Sequence, residues 1–195
     1  MRLRGYFRAQ VAGLAVVALL SAGPVQALPR AASTDASLAG IHIENFGRIN
    51  DKYFRGAQPK GDDFKALASL GVKMVIDLAS EGDPAEEANS RAAGMGFVRI
   101  PMNTRVTPTP EVIGKFLALV NDPANQPVYV HCIGGKHRTG VMTAIYRMTM
   151  EAWTPVRAFE EMKEYHFGSD FLHPEFKAFV KSYIVPTAAA VTTSK

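Results

Sequence analysis

Two hydrophobic periods alternate along the chain. Val72 to Leu78 is a nearly continuous apolar run, the pattern of a strand covered on both faces. Phe97 to Ile100 and Val128 to His131 read as further strands. Ile41 to Phe46 partly alternates and predicts an edge strand. Asn50-Asp51-Lys52 is a turn signal, and Tyr53-Phe54-Arg55 reads as the returning strand of a hairpin. Helical spacing fills the gaps. Asp62 or Asp63 can cap a helix carrying Phe64, Leu67, Ala68 and Leu70, which stops at Gly71. A second helix starts at Asp83-Pro84 and runs to Gly94. A third opens at Pro110, with Val112, Ile113, Phe116, Leu117 and Val120 on one stripe. An apolar, buried helix is expected from Arg138 or Thr139 to Met150. Two more follow, one capped by Thr154 before Pro155 and one from His173-Pro174 with Phe176, Phe179 and Tyr183 on a face. Strands alternating with helices predict an α/β fold: a central, largely parallel sheet flanked by helices on both faces, in a single domain over 41–185.

The ends lie outside that pattern. Arg2, Arg4 and Arg8 precede an apolar stretch, Val11 to Leu20, that is short for a membrane span. Val25-Gln26-Ala27 then offers small residues at a cleavage site. Residues 1–27 therefore read as a signal peptide, with an exported (periplasmic or secreted) mature chain and no stable membrane anchoring after cleavage. Residues 28–40 are Ala- and Ser-rich, a flexible leader, and 186–195 read as a disordered tail. Removing Arg2, Arg4 and Arg8 takes the formal charge from +4 to +1. The basic character of the whole chain is thus no nucleic-acid footprint, and any cationic site must be local.

The chain has one cysteine, Cys132, so it forms no internal disulfide. Its setting is unusual. It follows the strand Val128 to His131 and precedes Ile133-Gly134-Gly135-Lys136-His137, then Arg138 and Thr139. Gly134 and Gly135 let successive backbone amides turn inward as an anion nest. A helix starting near Arg138 aims its N-terminus at the same point. Such a loop holds an oxyanion against a thiolate and favours the thiolate form. Arg138 can grip two oxygens of a phosphate through its fork, geometry that lysine lacks. Thr139 sets a hydroxyl where it can hydrogen-bond the leaving sulfur. His131, just before the cysteine, is expected to organise the loop through hydrogen bonds.

His131-Cys132-x-x-Gly135-x-x-Arg138-Thr139 resembles the signature of the protein tyrosine and dual-specificity phosphatase superfamily. Asn125-Gln126-Pro127 ahead of it, with Lys136-His137 inside it and Gly140 after it, is similar to the atypical dual-specificity phosphatases of plants and fungi and their bacterial relatives. Tyr53-Phe54-Arg55-Gly56-Ala57-Gln58-Pro59 resembles the Y-R-S-x-Q-P stretch early in that family. The resemblance implies Cys132 as nucleophile forming a phosphocysteine, Arg138 as phosphate clamp and Thr139 as the residue assisting hydrolysis. The amides of Ile133, Gly134, Gly135, Lys136, His137 and Arg138 become the phosphate cradle. No metal and no cofactor are implied.

Many family members supply a general-acid Asp from the loop before the third helix. Here Pro101 to Pro110 holds no carboxylate. The candidates are Glu111, Asp83 and Asp170, with Glu111 also readable as a first-turn carboxylate favourable to the helix dipole. A leaving group that is itself a stable anion needs less protonation. Lys136, His137 and Arg105 add positive charge suited to a substrate with several phosphates. Three functions stay open at this point: hydrolysis of phosphotyrosine proteins or small phosphate esters, hydrolysis of inositol phosphates or pyrophosphates, and phosphate binding with little turnover.

Overall fold

The computed structural model describes residue 38 and residues 40–168 and 172–186. The segments expected as signal peptide (1–27) and tail (186–195, beyond Pro186), nearly all of the expected leader (28–40), and Asp170 lie outside the described residues. Five strands and six helices follow one another as β1 (Gly47–Asn50), β2 (Tyr53–Ala57), α1 (Asp63–Ser69), β3 (Met74–Ala79), α2 (Glu86–Ala92), β4 (Gly96–Met102), α3 (Pro110–Asn121), β5 (Val128–Cys132), α4 (His137–Met150), α5 (Pro155–Glu164) and α6 (Pro174–Ser182). They form an α/β fold with one sheet in the order β1-β2-β5-β3-β4. β1 and β2 are antiparallel, and every other pairing is parallel.

β5 is the axis of the sheet. All its side chains are buried, because parallel neighbours flank it and helices cover both faces. The two-residue period of the strand divides them. Val128, Val130 and Cys132 join the larger core, built with Phe116 of α3, Val141, Met142 and Ile145 of α4, Phe159 of α5 and Phe176 of α6. Tyr129 faces the other way, into a smaller core with Phe64 and Leu67 of α1. Ten residues of α4 are buried. The helix is covered nearly all round, which is why its sequence shows no polar stripe.

Local chemistry sets most of the boundaries. Gly71 ends α1 in the left-handed region at φ +82°, its amide reaching Ala68 O while the Val72 amide reaches Leu67 O. Gly94 ends α2 in the same way. Thr109 and Thr154 cap α3 and α5 with their hydroxyls, each ahead of a proline. The first strand differs from expectation. Ile41 to Phe46 is irregular, and the strand is Gly47–Asn50 instead. Asn45 adopts φ +53°, which a strand cannot contain. The alternation that suggested a strand comes from Ile43, which packs into the smaller core from a turn.

One buried contact ties β2 to β5 just below the site. Tyr129 Oη donates to Ala57 O at 2.6 Å. A Cβ on Gly56 would come within 2.3 Å of that hydroxyl, so only glycine fits there. Burial pushes the Tyr129 phenol well above its ordinary pKa, so it stays a donor. Y129F should leave the Ala57 carbonyl without this partner and cost about 1–3 kcal/mol, read from the urea unfolding midpoint.

Candidate active site

β5 ends at Cys132 and α4 begins at His137, so residues 133–136 form the connection at the carboxyl edge of the sheet. Open parallel sheets keep their sites at this edge. Gly135 sits at φ +64°, and a Cβ there would lie 2.4 Å from the backbone of Gly56. The loop thus rests directly on the end of β2. The carbonyls of its first three residues are engaged from outside. Ile133 O accepts from the Gln58 amide at 3.1 Å and Gly134 O accepts from Asn45 Nδ2 at 2.8 Å. Gly135 O accepts from the Arg55 guanidinium. Cys132 is buried, with 3% of its surface exposed.

Arg138 lies in the first turn of α4, with its side chain 4% exposed. One guanidinium nitrogen donates to Glu81 Oε1 at 2.6 Å. The other donates to Glu81 Oε2 at 2.7 Å and to Met102 O at 3.2 Å. Nε is buried with no protein partner. Glu81 and Met102 therefore grip the far end of the guanidinium, and the Nε edge is left for an anion. Burial pulls the Arg138 pKa down, but the Glu81 carboxylate and the Cys132 sulfur outweigh it and hold it above its usual value. The hydrogen bond from Arg138 in turn lowers Glu81 from 4.5 to about 2. Thr139 Oγ1, one residue on, is buried without a protein partner.

His131 does not do what its position suggested. The strand alternation sends its ring away from the loop, to the face of α1 and α2. There Nε2 lies 2.6 Å from Glu86 Oε1, and Nδ1 lies 3.8 Å from Asp77 Oδ1. Asp77, Glu86 and His131 offer ligand atoms within 4.8 Å of one another, all buried. Arg99 already supplies the cation for this cluster, through Nε at 2.6 Å from Asp77 and a terminal nitrogen at 3.8 Å from Glu86. The arrangement fits a buried ionic anchor for the end of β5, and His131 acts on the loop only through its backbone.

His137 is likewise turned from the anion. Its Nε2 contacts Phe167 O at 2.9 Å and its ring centroid lies 3.8 Å from that of His173. Burial, then the neighbouring His173, lowers its pKa below the ordinary value of 6.5. It is neutral at neutral pH and adds no charge, contrary to expectation. Lys136 is half-buried and Arg105 exposed. Among the candidate acids, Glu111 is exposed in the first turn of α3, and its bond with Thr109 lowers its pKa, which suits the helix terminus and not proton donation at neutral pH. Asp83 accepts from the Ala85 amide at 2.8 Å at the start of α2, and its carbonyl accepts from Arg99. Glu81, Asn45 and Glu86 were not singled out by sequence. Glu81 follows β3, and only the sheet order, which sets β3 beside β5, brings it to Arg138.

A family model described as "DSP-PTPase phosphatase fused to NAD+ kinase" matches residues 41–181. The chain belongs to this dual-specificity, protein-tyrosine-phosphatase-like family of phosphatases. Among curated relatives it is 27% identical to inositol diphosphatase DSP2 of Oryza sativa, over 83% of this chain and 80% of the rice protein. It is 28% identical to the dual-specificity protein phosphatase TpbA of Pseudomonas aeruginosa, over 84% and 75% of the respective chains. The catalytic core of the Saccharomyces cerevisiae phosphatase SIW14, crystallised with citrate, superposes with a TM-score of 0.64 at 27% identity, covering 73% of this chain and 86% of that one. TpbA has also been crystallised with phosphotyrosine, and that structure superposes with a TM-score of 0.62 at 26% identity over 71% and 83%.

The Glu81 carboxyl is depressed in the folded state, so its contribution to stability is present above the ordinary value of 4.5 and is lost as pH falls through about 2. E81Q should be less stable than wild type in urea at pH 5–7, and the gap should close as pH falls toward about 2. The same variant should lose about tenfold or more in kcat/KM on an aryl phosphate, because Arg138 loses its charged brace.

Proposed function

We propose that the protein is a cysteine-dependent phosphatase, acting on phosphotyrosine or another phosphoryl group whose leaving group departs as a stable anion. The observation that carries this reading is the single cradle in which Cys132, a glycine loop at a helix N-terminus and the braced Arg138 converge. The Cys132 thiolate attacks phosphorus, the bond to the leaving oxygen breaks, and its electron pair departs with that oxygen. The three phosphoryl oxygens are held by the loop amides and by the Nε edge of Arg138, contacts that strengthen as charge spreads. Water then attacks the phosphocysteine. The sulfur–phosphorus bond breaks, the pair returns to sulfur, and inorganic phosphate keeps the proton lost by water. Thr139 Oγ1, buried and without a protein partner, is the hydroxyl that stabilises the departing thiolate.

The lack of any carboxylate between Asn103 and Thr109 supports aryl over alkyl leaving groups. It equally supports a second reading, cleavage of a phosphoanhydride in an inositol pyrophosphate, which the names of the rice and yeast relatives favour. We also propose that residues 1–27 direct export. N-terminal sequencing of the mature protein should begin after Ala27, and a chain beginning at Met1 would contradict this.

Wild type should hydrolyse p-nitrophenyl phosphate, and C132S should lose about three orders of magnitude or more. Equal rates would remove Cys132 from the reaction. A side-by-side comparison of phosphotyrosine peptide, phosphoserine peptide and a diphosphoinositol phosphate assigns the substrate. Turnover of the first well above the second is expected, and a rate on the third that exceeds both would favour the pyrophosphatase reading.

A further inference from the structure

The Tyr53-to-Pro59 stretch has no part in the chemistry described so far, yet it lies directly beneath the loop. Each peptide plane is rigid and trans, so a carbonyl pinned to one side sends the following N–H to the other. Pinning Ile133 O turns the Gly134 amide away, pinning Gly134 O turns the Gly135 amide, and pinning Gly135 O turns the Lys136 amide. Two of the three pins are side chains: Asn45 Nδ2 on Gly134 O at 2.8 Å, and the Arg55 guanidinium on Gly135 O. Among the described residues, the amides of Gly134, Gly135 and Lys136 donate to no protein acceptor.

Both pins are themselves held. Asn45 is at φ +53°, a conformation that asparagine tolerates better than most residues. Its Oδ1 is 2.7 Å from His166 Nδ1, so the imidazole donates there and the amide nitrogen must face Gly134 O. Arg55 is fully buried, with its Cζ 4.0 Å from the ring centroid of Tyr165. Its Nε and other terminal nitrogen have no protein partner. Burial lowers the Arg55 pKa, while Tyr53, Tyr165, Glu161 and Cys132 oppose that effect. Phe167, which follows His166, engages His137 through its carbonyl. Tyr165, His166 and Phe167 thus back Arg55, Asn45 and His137 in turn.

We propose that Asn45 and Arg55 are positioning residues for the anion cradle, each holding one loop carbonyl outward so that the following amide faces the phosphoryl group, with Arg55 adding a buried positive charge beneath it. This rests on the phosphatase reading above. The residues touch no reacting atom and act through the Gly134 and Gly135 peptides. Neither strand propensity nor packing requires an arginine at position 55, whose strand neighbours Tyr53 and Ala57 are ordinary core residues. A long, fully buried cation there is explained by the anion that the loop receives.

The test is the inhibition constant of inorganic phosphate against p-nitrophenyl phosphate hydrolysis, measured beside thermal melts for wild type, N45G, R55K and R55M. An inhibition constant does not depend on how much of the sample is folded, so a merely structural role would leave it unmoved. N45G keeps the left-handed backbone and removes only the amide. It should weaken phosphate about fivefold with its melting temperature little changed. R55M should weaken phosphate tenfold or more, and R55K, which keeps the charge and one donor, should recover part of that loss. If R55M does not fold, N45G decides alone. Wild-type phosphate inhibition in N45G, with a wild type that is active, would overturn the positioning role and leave the phosphatase reading intact. A wild type that neither turns over p-nitrophenyl phosphate nor binds phosphate in calorimetry would overturn both.

Discussion

A loop that binds an anion with its amides must satisfy its carbonyl oxygens elsewhere, and much of this molecule is arranged around that demand. Gln58, Asn45 and Arg55 take the three carbonyls of Ile133, Gly134 and Gly135. Each donor comes from the segment around β1 and β2, which therefore has to run alongside β5. The parallel pairing of β2 with β5 sets Gly56 opposite His131 and Ala57 opposite Cys132. The approach is so close that both Gly56 and Gly135 have no room for a side chain.

Charge is distributed in the same spirit, with each cation given a distinct surrounding. Arg138 is braced by Glu81 at one end and open along its Nε edge. Arg99 is consumed by Asp77 and Glu86 on the opposite face of the sheet. Arg147 is closed by Glu151 and Glu161 at the far end of α4. Only Arg138 and Arg55 combine burial with unpartnered guanidinium nitrogens among the described residues, and both adjoin the loop. Neutral His137 leaves the cradle less basic than its sequence suggested.

Much of this was legible beforehand. The strand–cysteine–glycine–arginine–helix succession is local, and local order is what sequence carries best. The α/β alternation, the Thr154 cap and the glycine stops were readable for the same reason. What escaped depends on strand order. Glu81 lies in the turn after β3, and it matters only because β3 lies beside β5 and delivers the turn to Arg138. Asn45 read as part of a strand, because Ile43 mimics strand alternation. His131 was assigned to the loop because it adjoins Cys132 in sequence, whereas the two-residue period of β5 sends neighbours to opposite faces.

The central claim is that Cys132 carries the phosphoryl group during turnover. Its most direct test is acid quenching of the wild-type enzyme within a turnover on a phosphorus-labelled aryl phosphate, followed by peptide mapping by mass spectrometry. A phosphoryl group is expected on the peptide bearing Cys132 and should be absent from C132S. Turnover with no covalent phosphoryl group, or with the label on another side chain, would contradict the claim.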